Sequence, residues 1–108
     1  MQAALRSSQA DDRIAYYRIA LALRPANVAC HNNLGIALYD KGDVDGAIDA
    51  YREAIRLDPG YVPAHNNLGN ALRAKKDLDG AVAAYREAIR LDPEYALSHN
   101  NLGYALRE

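Results

Sequence analysis

The chain has no tryptophan, no phenylalanine, one cysteine, one methionine and four prolines in 108 residues. A lone thiol, Cys30, forms no internal disulfide and no thiolate metal cage, and the expectation is a reducing, cytoplasmic setting. No apolar run approaches the roughly eighteen residues of a membrane span. Met1-Gln2-Ala3-Ala4-Leu5-Arg6 lacks the apolar core of a signal peptide. An excess of one charge is missing too. Thirteen Lys and Arg stand against fourteen Asp and Glu, a net charge of −1, so no basic field draws the chain to nucleic acid. Neither nucleic acid nor a membrane is expected as a partner. There is no GxSxG, P-loop, glycine-rich dinucleotide turn or HExxH. The chain therefore reads as a non-enzyme without a cofactor. What it has instead is twenty-one alanines and eight tyrosines. Small side chains let backbones approach closely, which favours packed helices.

A repeat organises the sequence. His31-Asn32-Asn33-Leu34-Gly35 recurs as His65-Asn66-Asn67-Leu68-Gly69 and as His99-Asn100-Asn101-Leu102-Gly103, 34 residues apart each time. Laid on Val62–Tyr95, Val28–Tyr61 is identical at 24 of 34 positions. A fixed period of this length is the mark of a stacked array.

Each unit predicts two helices, from about Val28 to Asp40 and from about Val44 to Leu57. His31, Leu34, Gly35 and Leu38 share one helical face, and Ala47, Tyr51, Ala54 and Ile55 share another. Between them Gly42 suits a helix C-terminus and Asp43 an N-cap. Asp45 in the first turn complements the helix dipole. Asp58-Pro59 ends the second helix, because the residue before proline is pushed out of the helical region. Lys76 replaces Gly42 in the next unit; a positive φ there costs a lysine roughly 1 kcal/mol.

These residues resemble the tetratricopeptide repeat, a family of 34-residue helix-turn-helix units. The resemblance implies an all-α fold, a right-handed α-solenoid of antiparallel helix pairs, here called helix A and helix B. It also implies that small Gly35 and Gly69 of helix A meet Ala47 and Ala81 of helix B. Tyr51 and Tyr85 take the helix-B aromatic position, Ala54 and Ala88 the second alanine, and Pro59 and Pro93 the terminating proline. His31, His65 and His99 stand in place of the usual helix-A tryptophan, and Leu38, Leu72 and Leu106 in place of the tyrosine. The array divides into a partial first unit over 1–27, mainly helix B, full units over 28–61 and 62–95, and a final helix A over 96–108. Asp11–Arg24 matches helix B, with Arg13 in place of its small alanine, and Ala3–Ser7 is a stub too short for helix A.

Most candidate functional residues have structural roles. One histidine per unit cannot converge on a metal, since packed helix axes lie about 8–10 Å apart and zinc holds its ligands within about 2.1 Å. A packed or hydrogen-bonded histidine is expected. Glu53–Arg56 and Glu87–Arg90 are exposed i, i+3 pairs.

Asn33, Asn67 and Asn101 differ. They recur once per unit on a second helix-A stripe with Ala29, Ile36 and Asp40. Four of the ten differences between the two full units lie on or beside that stripe: Ala29/Pro63, Ile36/Asn70, Tyr39/Arg73 and Asp40/Ala74. A constant amide among variable side chains can pair with the N–H and C=O of an extended peptide. The row is similar to the asparagine ladder in the repeat region of O-linked N-acetylglucosamine transferases, although no transferase domain is present. The residue pattern is also consistent with asparagines that bond between neighbouring units. The expected groove comprises Asn33, Asn67 and Asn101 with Asn32 and Asn66 beside them, and Asn70, Ile36, Tyr39, Arg73, Tyr104 and Arg107 tuning selectivity. The carboxylate clamp of chaperone-binding relatives lacks its cations, because the matching positions hold Asn32, Ile36, Pro63, Leu97 and Asn101. The expected partner is a protein or peptide segment. The alternative is self-association, a head-to-tail stack of incomplete end units through an exposed face of Leu102, Ala105 and Leu106.

Overall fold

A computed structural model describes residues 2–108 of the chain, with side chains from residue 9 onward. Six helices follow one another without a strand among the described residues: α1 (Gln2–Leu23), α2 (Val28–Lys41), α3 (Val44–Leu57), α4 (Val62–Ala74), α5 (Leu78–Leu91) and α6 (Ala96–Arg107). Each packs on its sequence neighbours. In addition α2 touches α4 and α4 touches α6, so the helix-A elements form one layer and the helix-B elements stack behind it. This is the all-α helical-repeat solenoid expected.

The turns are built as the residues dictate. Asp43 and Asp77 cap α3 and α5 by accepting from the backbone N–H of Gly46 and Gly80, at 2.9 and 3.0 Å. Gly42 takes φ +96°, and Lys76 takes φ +68° at the equivalent point. In both turns the following aspartate N–H reaches back to a leucine carbonyl, Leu38 or Leu72, at 2.9 Å. That bond closes only if the residue before the aspartate is left-handed, so Lys76 bears the strain that its position implied.

Two expectations change. Ala3–Ser7 is no separate stub: the backbone from Gln2 continues into α1 as one 22-residue helix. No proline or glycine interrupts the sequence before Pro25, so nothing ends the helix earlier. The side chains of Ala3–Ser7, and Met1 altogether, lie outside the described residues. The second change is an addition at Gly35 and Gly69. Rings of Tyr51 and Tyr85 also press on these glycines, and an added Cβ would project into them. Removing one side chain on helix A thus seats one aromatic ring from helix B. Both tyrosines are buried with Ala47, Ala81, Leu38 and Leu72 in a single core.

The units are also tied on their edges. Lys41 pairs with Asp11, and Lys75 with Asp45 at 2.5 Å, each pair joining a helix A to the preceding helix B. These pairs are exposed and each contributes under about 1 kcal/mol. The Glu53–Arg56 and Glu87–Arg90 pairs form as read, at 2.5 Å, and hold both glutamates below the usual carboxylate range.

Candidate functional site: an amide-lined groove

The histidines fasten each helix A to the turn before it. His31, His65 and His99 each donate Nε2–H to the carbonyl six residues earlier, of Pro25, Pro59 or Pro93, at 2.7–2.8 Å. Each ring therefore pins the turn before its helix, and the nitrogen that makes the bond is occupied.

One residue on, the two asparagines of each repeat divide the work. Asn32 and Asn66 are buried, at 4% and 2% exposure. They were expected in the groove, and the structure places them beneath it. A buried carboxamide must find partners, and here the next unit supplies them. Asn67 Nδ2 donates to Asn32 Oδ1 at 3.0 Å, and Asn101 Nδ2 donates to Asn66 Oδ1 at 3.1 Å. Ser98 Oγ donates to the same Asn66 oxygen at 3.1 Å. Asn67 and Asn101 thus bond between neighbouring units, and each keeps a second N–H and its own Oδ1.

Those remaining groups border a cleft of about 360 Å³, lined by Ile36, Tyr39, Asn67, Asn70, Arg73 and Asn101 over the edge of Tyr51. The cleft gathers six of the eleven residues singled out in the sequence. Asn33 is exposed at the near end of the row, outside this cleft. Tyr104 and Arg107 border an adjoining hollow with His99, Asn100 and Gly103. Tyr104 links the two, since the guanidinium carbons of Arg73 and Arg107 each lie 5.9 Å from its ring centroid.

Two participants were missed. Ser98 stands where the earlier unit has Ala64, a difference that only the packing shows to matter. Tyr85, read as a packing residue alone, also donates its hydroxyl to Asn70 Oδ1 at 2.6 Å. Ile36 occupies the matching place above Tyr51, so the Ile36/Asn70 difference decides which tyrosine has a groove partner. Burial raises the Tyr85 phenol from its ordinary 10.0 to about 12, against the opposing pull of Arg73. Burial raises Tyr51 further, aided by Asp40 and Tyr39. Both are neutral hydrogen-bonding groups near neutral pH.

The TPR repeat pattern matches residues 35–73 and 69–108. No curated protein matches by sequence. An O-GlcNAc transferase variant from Thermobaculum terrenum is 30% identical with a TM-score of 0.86, over 95% of this chain and 20% of that one. The present chain spans about a fifth of that structure. The first TPR of Spaghetti (RPAP3), bound to the HSP90 peptide SRMEEVD, is 21% identical with a TM-score of 0.89, over 95% and 82% of the two chains. The Sgt2 TPR domain from Aspergillus fumigatus is 24% identical with a TM-score of 0.84, over 98% and 78%. At the lower two identities the likeness is one of fold.

Proposed function

The chain belongs to the tetratricopeptide repeat family, and we propose that it is a non-catalytic protein-interaction module that binds an extended peptide segment in its helix-A groove. One observation carries this reading: the unused donors and acceptors of Asn67 and Asn101 recur along a single cleft. A peptide in extended form offers N–H and C=O groups at regular intervals, and a carboxamide serves both. Asn33 continues the row. Ile36, Tyr39, Asn70, Arg73, Tyr104 and Arg107 lie beside it, at or near positions that vary between units, and would read side chains. Asn32 and Asn66 drop out of the contact set because they are buried.

The test is a triple replacement of Asn33, Asn67 and Asn101 by Ala, with binding to an immobilised array of random-sequence dodecapeptides as the readout. Binding should fall at least tenfold while far-UV circular dichroism retains the helix signal. An unchanged binding profile in a folded triple variant sinks the proposal.

Head-to-tail self-stacking ranks second. In its favour, Gly103 has nothing within 4 Å where Gly35 and Gly69 each seat a tyrosine ring. Tyr16, Ile19 and Leu23 of α1 also form an exposed apolar stripe, at 68%, 65% and 80% exposure. The expected α6 face is smaller than the sequence implied, since Ala105 is 3% exposed and Leu102 half-buried. Against stacking, Arg13, in the register that Ala47 fills in the interior, is drawn toward Asp40 of α2. Light scattering over a concentration series decides: a steady 11.8 kDa removes this reading.

A further inference from the structure

Resting on the peptide-groove reading, we infer that Arg73 and Asn70 form a subsite for an acidic side chain, Asp or Glu, of the bound peptide. The argument is a census of donors and acceptors. Asn70 Oδ1 is taken by the Tyr85 hydroxyl at 2.6 Å. With its oxygen engaged, the carboxamide turns its NH2 the other way, and that group meets no acceptor among the described residues. Arg73, one helical turn on, carries five side-chain N–H donors, and none of them makes a hydrogen bond among the described residues. Its Nη1 is buried without a partner. No carboxylate lines the cleft. Asp40, the nearest acid on the preceding helix A, is engaged with Arg13 at 2.7 Å. Around Asn70 and Arg73 the groove therefore offers N–H donors that no described side chain fills.

Two features indicate what it receives. Glu108 brings Oε1 to 4.0 Å from Arg73 Nε, attracted but too distant for a hydrogen bond. The Tyr104 ring has the guanidinium groups of Arg73 and Arg107 each 5.9 Å from its centroid. The ring face braces Arg73 by cation–π attraction, leaving the edges of its planar fork to meet a carboxylate. A basic side chain in this place would face two guanidiniums. A neutral amide would leave the charge unmatched.

The experiment compares two fluorescein-labelled pools of extended nonapeptides, alike except for a fixed central Glu or a fixed central Gln. Binding is read by anisotropy at about physiological ionic strength. On the native chain the Glu pool should bind about threefold or more tighter, the scale of a partly exposed charge pair, and the ratio should shrink in high salt. In Arg73→Gln the ratio should fall to about one. Position 73 corresponds to Tyr39 in the earlier unit, so the fold tolerates different side chains there, and circular dichroism checks it. In Glu108→Gln, which removes the internal competitor, the ratio should rise. Equal binding of the two pools by the native chain, or a ratio that survives Arg73→Gln, overturns the subsite and leaves the groove reading standing. Failure of both pools to bind overturns the groove reading and the subsite with it.

Discussion

Asn67 and Asn32, 35 residues apart in sequence, are joined by a 3.0 Å hydrogen bond between the side chains of successive helix-A elements. The same bond recurs between Asn101 and Asn66, where Ser98 adds a second donor. A row of amides that borders a cleft on one side thus fastens the array on the other.

Removing the buried acceptor should be costly. Asn66→Ala strands the Asn101 N–H and the Ser98 hydroxyl, and a lost partner for a buried polar group costs about 1–3 kcal/mol. Urea denaturation should show a lower midpoint at an unchanged slope. Adding Ser98→Ala should recover part of the loss. An unshifted midpoint in Asn66→Ala contradicts the fastening role.

The turn glycines offer a paired test. Lys76→Gly relieves a non-glycine residue at φ +68° and should stabilise the chain by about 1 kcal/mol. Gly42→Lys should destabilise by a similar amount. For a domain of this size a change of that magnitude moves the melting temperature by about 4–8 °C. Equal melting temperatures for native chain and Lys76→Gly speak against strain at this turn.

Glycines on the helix-A face should behave in opposite ways. Gly69→Ala drives a methyl into the Tyr85 ring and should cost about 1–3 kcal/mol by overpacking. Gly103→Ala meets nothing within 4 Å and should stabilise by roughly 0.5–1 kcal/mol through helix propensity alone. Thermal melts of the two variants, compared with the native chain, give the signs directly.

Alkaline pH should expose the buried phenols. Tyr85 titrates near 10.0 when unfolded and is raised to about 12 when folded. Between those values the unfolded chain holds fewer protons, so stability falls as pH rises. The Tyr85 contribution is complete below pH 10 and is lost progressively from 10 to 12. Tyrosinate absorbance at 295 nm should show Tyr51 and Tyr85 as phenols that ionise only at raised pH, reduced to one in Tyr85→Leu. Simultaneous titration of all the tyrosines in the folded chain contradicts this.

The repeat made the architecture legible without coordinates. Its period set the units, Asp43 and Asp77 set the helix starts, and proline 59 set a helix end, all through local rules of capping and backbone sterics. The left-handed turn at Lys76 was readable because Gly42 marked the same position 34 residues earlier. The groove was half legible. One amide per unit on a non-core stripe located it, but period alone could not assign Asn32 and Asn33 their different depths, since adjacent helical residues lie about 100° apart and the boundary between core and groove falls between them.

The sequence by itself determined six helices, their order and the stripe that Asn33, Asn67 and Asn101 share, because helix formation depends on spacing, caps and breakers within a few residues. Only the tertiary structure decided what those groups touch. That the Tyr51 ring packs on Gly35, that Ser98 bonds to Asn66, and that Asn70 has given its oxygen to Tyr85 are contacts between helices, set by side-chain reach and packing across units. No local rule contains them.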